Sequence, residues 1–121
     1  MQSFVFDTYA ILEIIAGNEN YSKYINSEIS INDFVFAELC YKLINEMGLN
    51  SAKHYIDKYA PFIIQLDSEI IQEAMLFRTQ HKKQNYSATD CINYIMALRL
   101  NMKLLTGDKG FENMENVEYA K

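Results

Sequence analysis

Apolar residues fall along this chain in two kinds of run, short solid blocks and longer stretches with helical spacing. Phe4, Val5 and Phe6 form a block that ends at Asp7, and TYAILEIIAG then repeats apolar positions at helical intervals as far as Gly17. This predicts a strand followed by a helix. A second helix is expected over residues 20–27, leading into a short strand at 29–31. Asn32 or Asp33 can cap the next helix, whose Phe36, Ala37, Cys40, Leu43, Ile44 and Met47 share one arc before Gly48 ends it. Residues 51–59 predict a further helix cut by Pro61, and 62–66 a buried strand ending at Asp67. An amphipathic helix over 67–83 has its basic residues at the far end, and the polar break Gln84-Asn85-Tyr86-Ser87 follows. Residues 88–100 are apolar almost all round, which marks a helix buried on most sides. Residues 103–106 read as a strand, Gly107-Asp108-Lys109-Gly110 as a turn and 117–120 as a last strand.

Strands separated by helical stretches need crossover connections. The expected fold class is therefore α/β, three layers, with a mostly parallel sheet of about five strands. With 121 residues, a single domain over 1–121 is expected. Half the residues are apolar and only one is proline, which suits a packed globule and excludes a disordered segment. No run approaches the roughly 18 apolar residues of a membrane span. The first residues lack a basic leader, so a soluble, cytoplasmic protein without a membrane partner is expected. Cys40 and Cys91 sit in helical text without zinc-ligand spacing, and read as reduced packing cysteines. The net charge of -5 excludes nucleic-acid binding by bulk attraction, so any such contact must be local or metal-mediated.

Among sixteen acids, position decides which carry chemistry. Glu13, Glu19, Glu28, Glu46, Asp57, Glu69 and Glu73 read as solvated helix faces or caps, and Asp67 as an N-cap. Asp7 follows an apolar strand directly, either as an N-cap or as a functional carboxylate. Asp90 lies on a narrow polar stripe with Asn93, Ala97 and Asn101, on a helix that is otherwise apolar; a first-turn acid facing the helix dipole is the alternative. Glu38 falls about 40° outside the apolar arc of its helix at 100° per residue, which leaves it ambiguous. Asp108 stands just beyond a strand, as Asp7 does, where open sheets bind ligands. Four such acids converging would repel one another unless divalent cations lay between them. Magnesium prefers carboxylate oxygen and phosphate substrates, which points toward phosphodiester hydrolysis.

FVFDTYAIL, VFAELCYKL and SATDCINYIMALRLNMKLLTGDKGF together resemble the PIN-domain family along the whole chain, and most closely the VapC-type toxins of toxin–antitoxin pairs. The resemblance implies metal ligands at Asp7, Asp90 and Asp108, with Glu38 a ligand or water-holder and Thr106 a hydroxyl supporting Asp108. It implies Mg2+, or Mn2+, and endonucleolytic cutting of RNA. It also implies a homodimer and a VapB-type antitoxin. Tyr9 and Ala10 depart from the family's small hydroxyl residue at that place. Two rival readings remain: an RNA-processing PIN nuclease without a toxin role, and a receiver-like signalling domain phosphorylated on Asp67. Arg78, His81, Lys82 and Lys83 form the most basic local patch, which would either guide an RNA backbone or complement a helix dipole.

Overall fold

The computed structural model describes residues 2–121. Four strands form one sheet in the order β2-β1-β3-β4, with β1 Ser3–Phe6, β2 Glu28–Ser30, β3 Lys103–Thr106 and β4 Val117–Tyr119. Every pairing is parallel, with Phe6 opposite Leu105 and Thr106 opposite Tyr119. The expected fifth strand at 62–66 is reduced to a single parallel bridge between Ile63 and Ile31. The helices are α1 Thr8–Ile15, α2 Asp33–Tyr59, α3 Ser68–Gln80 and α4 Ala88–Arg99. Residues 20–27 were expected to form an α-helix, but Glu19–Tyr24 winds as the tighter 3-10 form, capped by the Asn18 side chain.

Alternation along the strands builds the three layers. Phe4, Phe6 and Leu105 face one core with Ile11, Val35, Leu39 and Leu43 of α1 and α2. Val5 and Leu104 face the other, with Ala74 of α3 and Cys91, Ile95 and Met96 of α4. Because side chains alternate across a strand, each central strand supplies both cores at once. Within α2, Gly48 leaves helical geometry at φ 81° and ψ 161°, a conformation that glycine adopts without a Cβ penalty. The chain therefore turns there, as the sequence predicts. Cys91 is buried, Cys40 is partly buried and both are free thiols. Among the described residues no helix is long and apolar enough to cross a membrane.

One buried polar contact ties the layers together beneath the strand ends. Asn32 caps α2 by accepting from the Phe34 and Val35 amides, each at 3.0 Å. Its Nδ2 donates to Asn93 Oδ1 of α4 at 2.8 Å, and both residues are almost fully buried. Asn32→Ala removes the cap and leaves Asn93 unsatisfied, so a loss of about 2–4 kcal/mol is expected in urea unfolding. Asn32→Asp keeps the cap but places a charge against the Asn93 carbonyl oxygen, and should restore only part of that loss.

Candidate active site

The central strands β1 and β3 end side by side, and the Asp7 amide continues their ladder by donating to the Leu105 carbonyl at 3.3 Å. From β1 the chain crosses to β2 on one side, and later to β3 on the other. The gap between β1 and β3 is thus the topological switch point, where crevices open in parallel sheets. Asp7 and Asp108 leave the carboxyl ends of these two strands. Asp90 comes from the first turn of α4, and Glu38 from the second turn of α2. All four line one cleft of about 150 Å³, shared with Thr8, Tyr9, Lys42 and Asn93.

Each acid is held differently. Asp7 is the N-cap of α1: Oδ1 accepts from the Ala10 amide at 2.9 Å, and Oδ2 accepts from the Thr106 hydroxyl. Asp7 therefore caps a helix and also faces the cleft. Burial pushes its pKa up to about 6, the bonds from Thr106 and Ala10 restrain the rise, and the charges of Asp90 and Asp108 add to it. Asp90 forms a capping box with Ser87: its Oδ2 accepts from the Ser87 amide and its own amide donates to Ser87 Oγ, both at 3.0 Å. The carboxyl of Asp90 is raised mainly by burial, with further contributions from Asp108 and Glu38. Asp108 is exposed; its Oδ1 accepts from the Gly110 amide at 3.0 Å.

Thr106 links two of the acids. Its hydroxyl donates to Asp7 and accepts from the Asp108 amide at 3.0 Å. Sequence reasoning assigned it to Asp108 alone, because the contact with Asp7 spans 99 positions. Glu38 is exposed at the cleft wall. Lys42, one turn further along α2, was missed; its spacing of four from Glu38 puts the two on one helix face and was the available signal. Tyr9 stands beside the site, its ring so close to Gly107 that a Cβ there would meet it at 2.2 Å and the Ala120 carbonyl at 2.7 Å.

The donor set suits a hard divalent cation. Four carboxylates share one cleft, and two of them, Asp7 and Asp90, are raised in pKa by burial and by the charge of neighbouring acids. The buried Thr8 hydroxyl beside Asp7 has no hydrogen-bond partner, a polar atom placed to meet a water molecule or ligand. Among the described residues no three His, Cys, Asp or Glu side chains crowd closely enough to cage an ion by themselves. Carboxylate oxygens, together with several retained waters, are the ligands magnesium prefers. Asp67, which a receiver domain would phosphorylate, lies outside this cleft and caps α3 through the Ile70 amide at 2.9 Å.

A PIN domain family model matches residues 4–117. The fold is similar to that of VapBC2 from Rickettsia felis, solved with a promoter DNA fragment, at a TM-score of 0.78 and 18% identity over 99% of this chain and 100% of that one. It is also similar to a toxin–antitoxin complex from Klebsiella pneumoniae, at 0.76 and 16% identity over 95% of each chain. VapC20 of Mycobacterium tuberculosis, a toxin that cleaves the sarcin-ricin loop, aligns at 0.76 and 14% identity over 98% of this chain and 99% of that one. No curated protein sequence matches the chain.

Proposed function

The chain belongs to the PIN-domain family, and on that premise we propose that it is a magnesium-dependent endoribonuclease, the VapC-like toxin of a toxin–antitoxin pair. The observation that carries this reading is the convergence of Asp7, Glu38, Asp90 and Asp108 on one cleft at the switch point of the sheet. Asp7, Asp90 and Asp108 would hold the cation, with Glu38 as a fourth ligand or as the holder of a water. When bound, Mg2+, or Mn2+ in its place, supplies Lewis acidity at a phosphodiester and lowers the pKa of a coordinated water.

The chain's own residues prepare the site for that chemistry. Thr106 fixes the Asp7 carboxylate, and the capping box fixes Asp90, so neither side chain must be ordered when substrate arrives. The Thr8 hydroxyl offers a hydrogen bond to water beside Asp7. Lys42 places one positive charge in an acidic cleft, where it meets the anionic RNA backbone. Incubation of structured RNAs with the purified protein in Mg2+ should give discrete internal cuts that EDTA abolishes. RNA left intact in both Mg2+ and Mn2+ would overturn the reading.

The solved toxin–antitoxin complexes of like fold support a VapB-type antitoxin as partner. A cleft of about 450 Å³ between α1 and α2, lined by Leu12, Ile15, Leu43 and Met47 together with Glu13 and Glu46, offers such a segment a place to dock. Leu76 and Leu98 are exposed on the packed pair α3 and α4, which supports a homodimer. Sedimentation of the isolated chain should then give twice the monomer mass. A co-expressed antitoxin that restores growth and co-purifies would separate the toxin from an RNA-processing nuclease of the same family.

A further inference from the structure

Resting on the nuclease reading, we infer that the cleft formed by Arg78, His81, Lys82, Asn85 and Tyr86 is a phosphate subsite for the RNA strand running out of the acidic cleft. This cleft, of about 180 Å³, lies where α3 ends and the chain turns toward α4. A chain of net charge -5 with four acids at its site must draw a polyanion through local cations. Three of its eleven basic residues, Arg78, Lys82 and Lys83, fall within six positions here. Among the described residues the ion pairs are Lys53 with Asp57 and Arg99 with Glu73, so these three pair with no carboxylate.

The groups are preset for an anion. Arg78 Nε donates to the Tyr86 carbonyl at 3.1 Å, which anchors the guanidinium and leaves its terminal nitrogens for a second acceptor. His81 Nδ1 lies 2.8 Å from the Phe77 carbonyl, so that nitrogen carries the proton, and the ring stacks on Phe77 with centroids 4.0 Å apart. Asn85 holds φ 56°, in the left-handed region that asparagine tolerates better than most residues. It turns the chain around the pocket.

Tyr86 lines this pocket and connects it to the active site through its contacts and its neighbour in the chain. Its ring stacks on Phe111 at 4.3 Å, its hydroxyl donates to the Gly110 carbonyl at 2.8 Å, and the Gly110 amide bonds Asp108. The next residue, Ser87, lines the acidic cleft and fixes Asp90. A strand leaving the four acids past Asp108 therefore meets Arg78 and Lys82 next. A purely structural role for these cations, complementing the α3 dipole, would show in stability and not in RNA affinity.

The test is fluorescence anisotropy of a labelled 12-nucleotide RNA in Mg2+, on an Asp7→Asn background, with Lys82→Glu added. About tenfold weaker binding at 50 mM salt is expected, with the log K against log salt slope shallower by about one unit, and little change in melting temperature. Arg78→Lys should bind more tightly than Arg78→Ala. Equal affinity and slope with and without Lys82→Glu, or no RNA binding by the Asp7→Asn chain, would overturn the subsite. Cleavage by the wild-type chain, measured in parallel, tests the nuclease reading separately.

Discussion

Asp7→Asn should lower Mg2+-dependent RNA cleavage by about a hundredfold or more while leaving the fold intact. Asparagine keeps the N-cap, since its Oδ1 can still accept from the Ala10 amide that Asp7 now binds at 2.9 Å. Its Nδ2 meets the Thr106 hydroxyl, which turns from donor to acceptor. What disappears is one of the anionic oxygens that a divalent cation needs. Asp108→Asn makes the same exchange at the neighbouring strand end, and it too keeps its local bond to Gly110. Circular dichroism should match the wild type in both variants. Undiminished cleavage in both would remove these carboxylates from the mechanism. Loss of helix signal would mean that they act through stability instead.

The same substitution should stabilise the metal-free protein at neutral pH. The Asp7 carboxyl titrates near 6 in the folded chain against 3.8 as a free side chain. Between those values the folded state binds the extra proton, so this group's contribution to stability falls as pH rises through the window. A shift of about two units corresponds to a destabilisation of about 3 kcal/mol above pH 6. In EDTA at pH 7.5, Asp7→Asn should therefore unfold at higher urea than the wild type, and the gap should close toward pH 4. Adding Mg2+ should raise the wild-type melting temperature and leave the variant nearly unmoved, because the cation neutralises the charge that burial penalises. A wild-type chain as stable as the variant at pH 7.5 without metal would show that the carboxyl is not strained by its burial.

Nearly all the element order is legible in the chain because it is written in local periodicity. The block Phe4-Val5-Phe6, the arc ending at Gly48 and the all-round apolar 88–100 segment each form what their spacing predicts. Departures occur where a neighbour decides. The 62–66 run has strand composition, yet only Ile63 reaches a partner, through Ile31. Asp67 is the N-cap its position suggests. Asp90 is both the first-turn acid of one reading and the cleft acid of the other, because a capping box occupies one of its oxygens and the cleft lies beside it.

The three-layer α/β class and the placing of Asp7 and Asp108 at strand ends follow from the order of residues alone, since hydrophobic period and chain order are local properties. That β1 and β3 are neighbours, and with that the meeting of those two acids, emerges when the chain folds. So do the facing of Glu38 and Lys42 into the cleft, the service of the Thr106 hydroxyl to both Asp7 and Asp108, and the pairing of Asn32 with Asn93 in the interior. One cause is common to all of these. They depend on which distant segments pack together, and packing is settled by how the two cores fill on either side of the sheet, a quantity that no stretch of the chain holds alone.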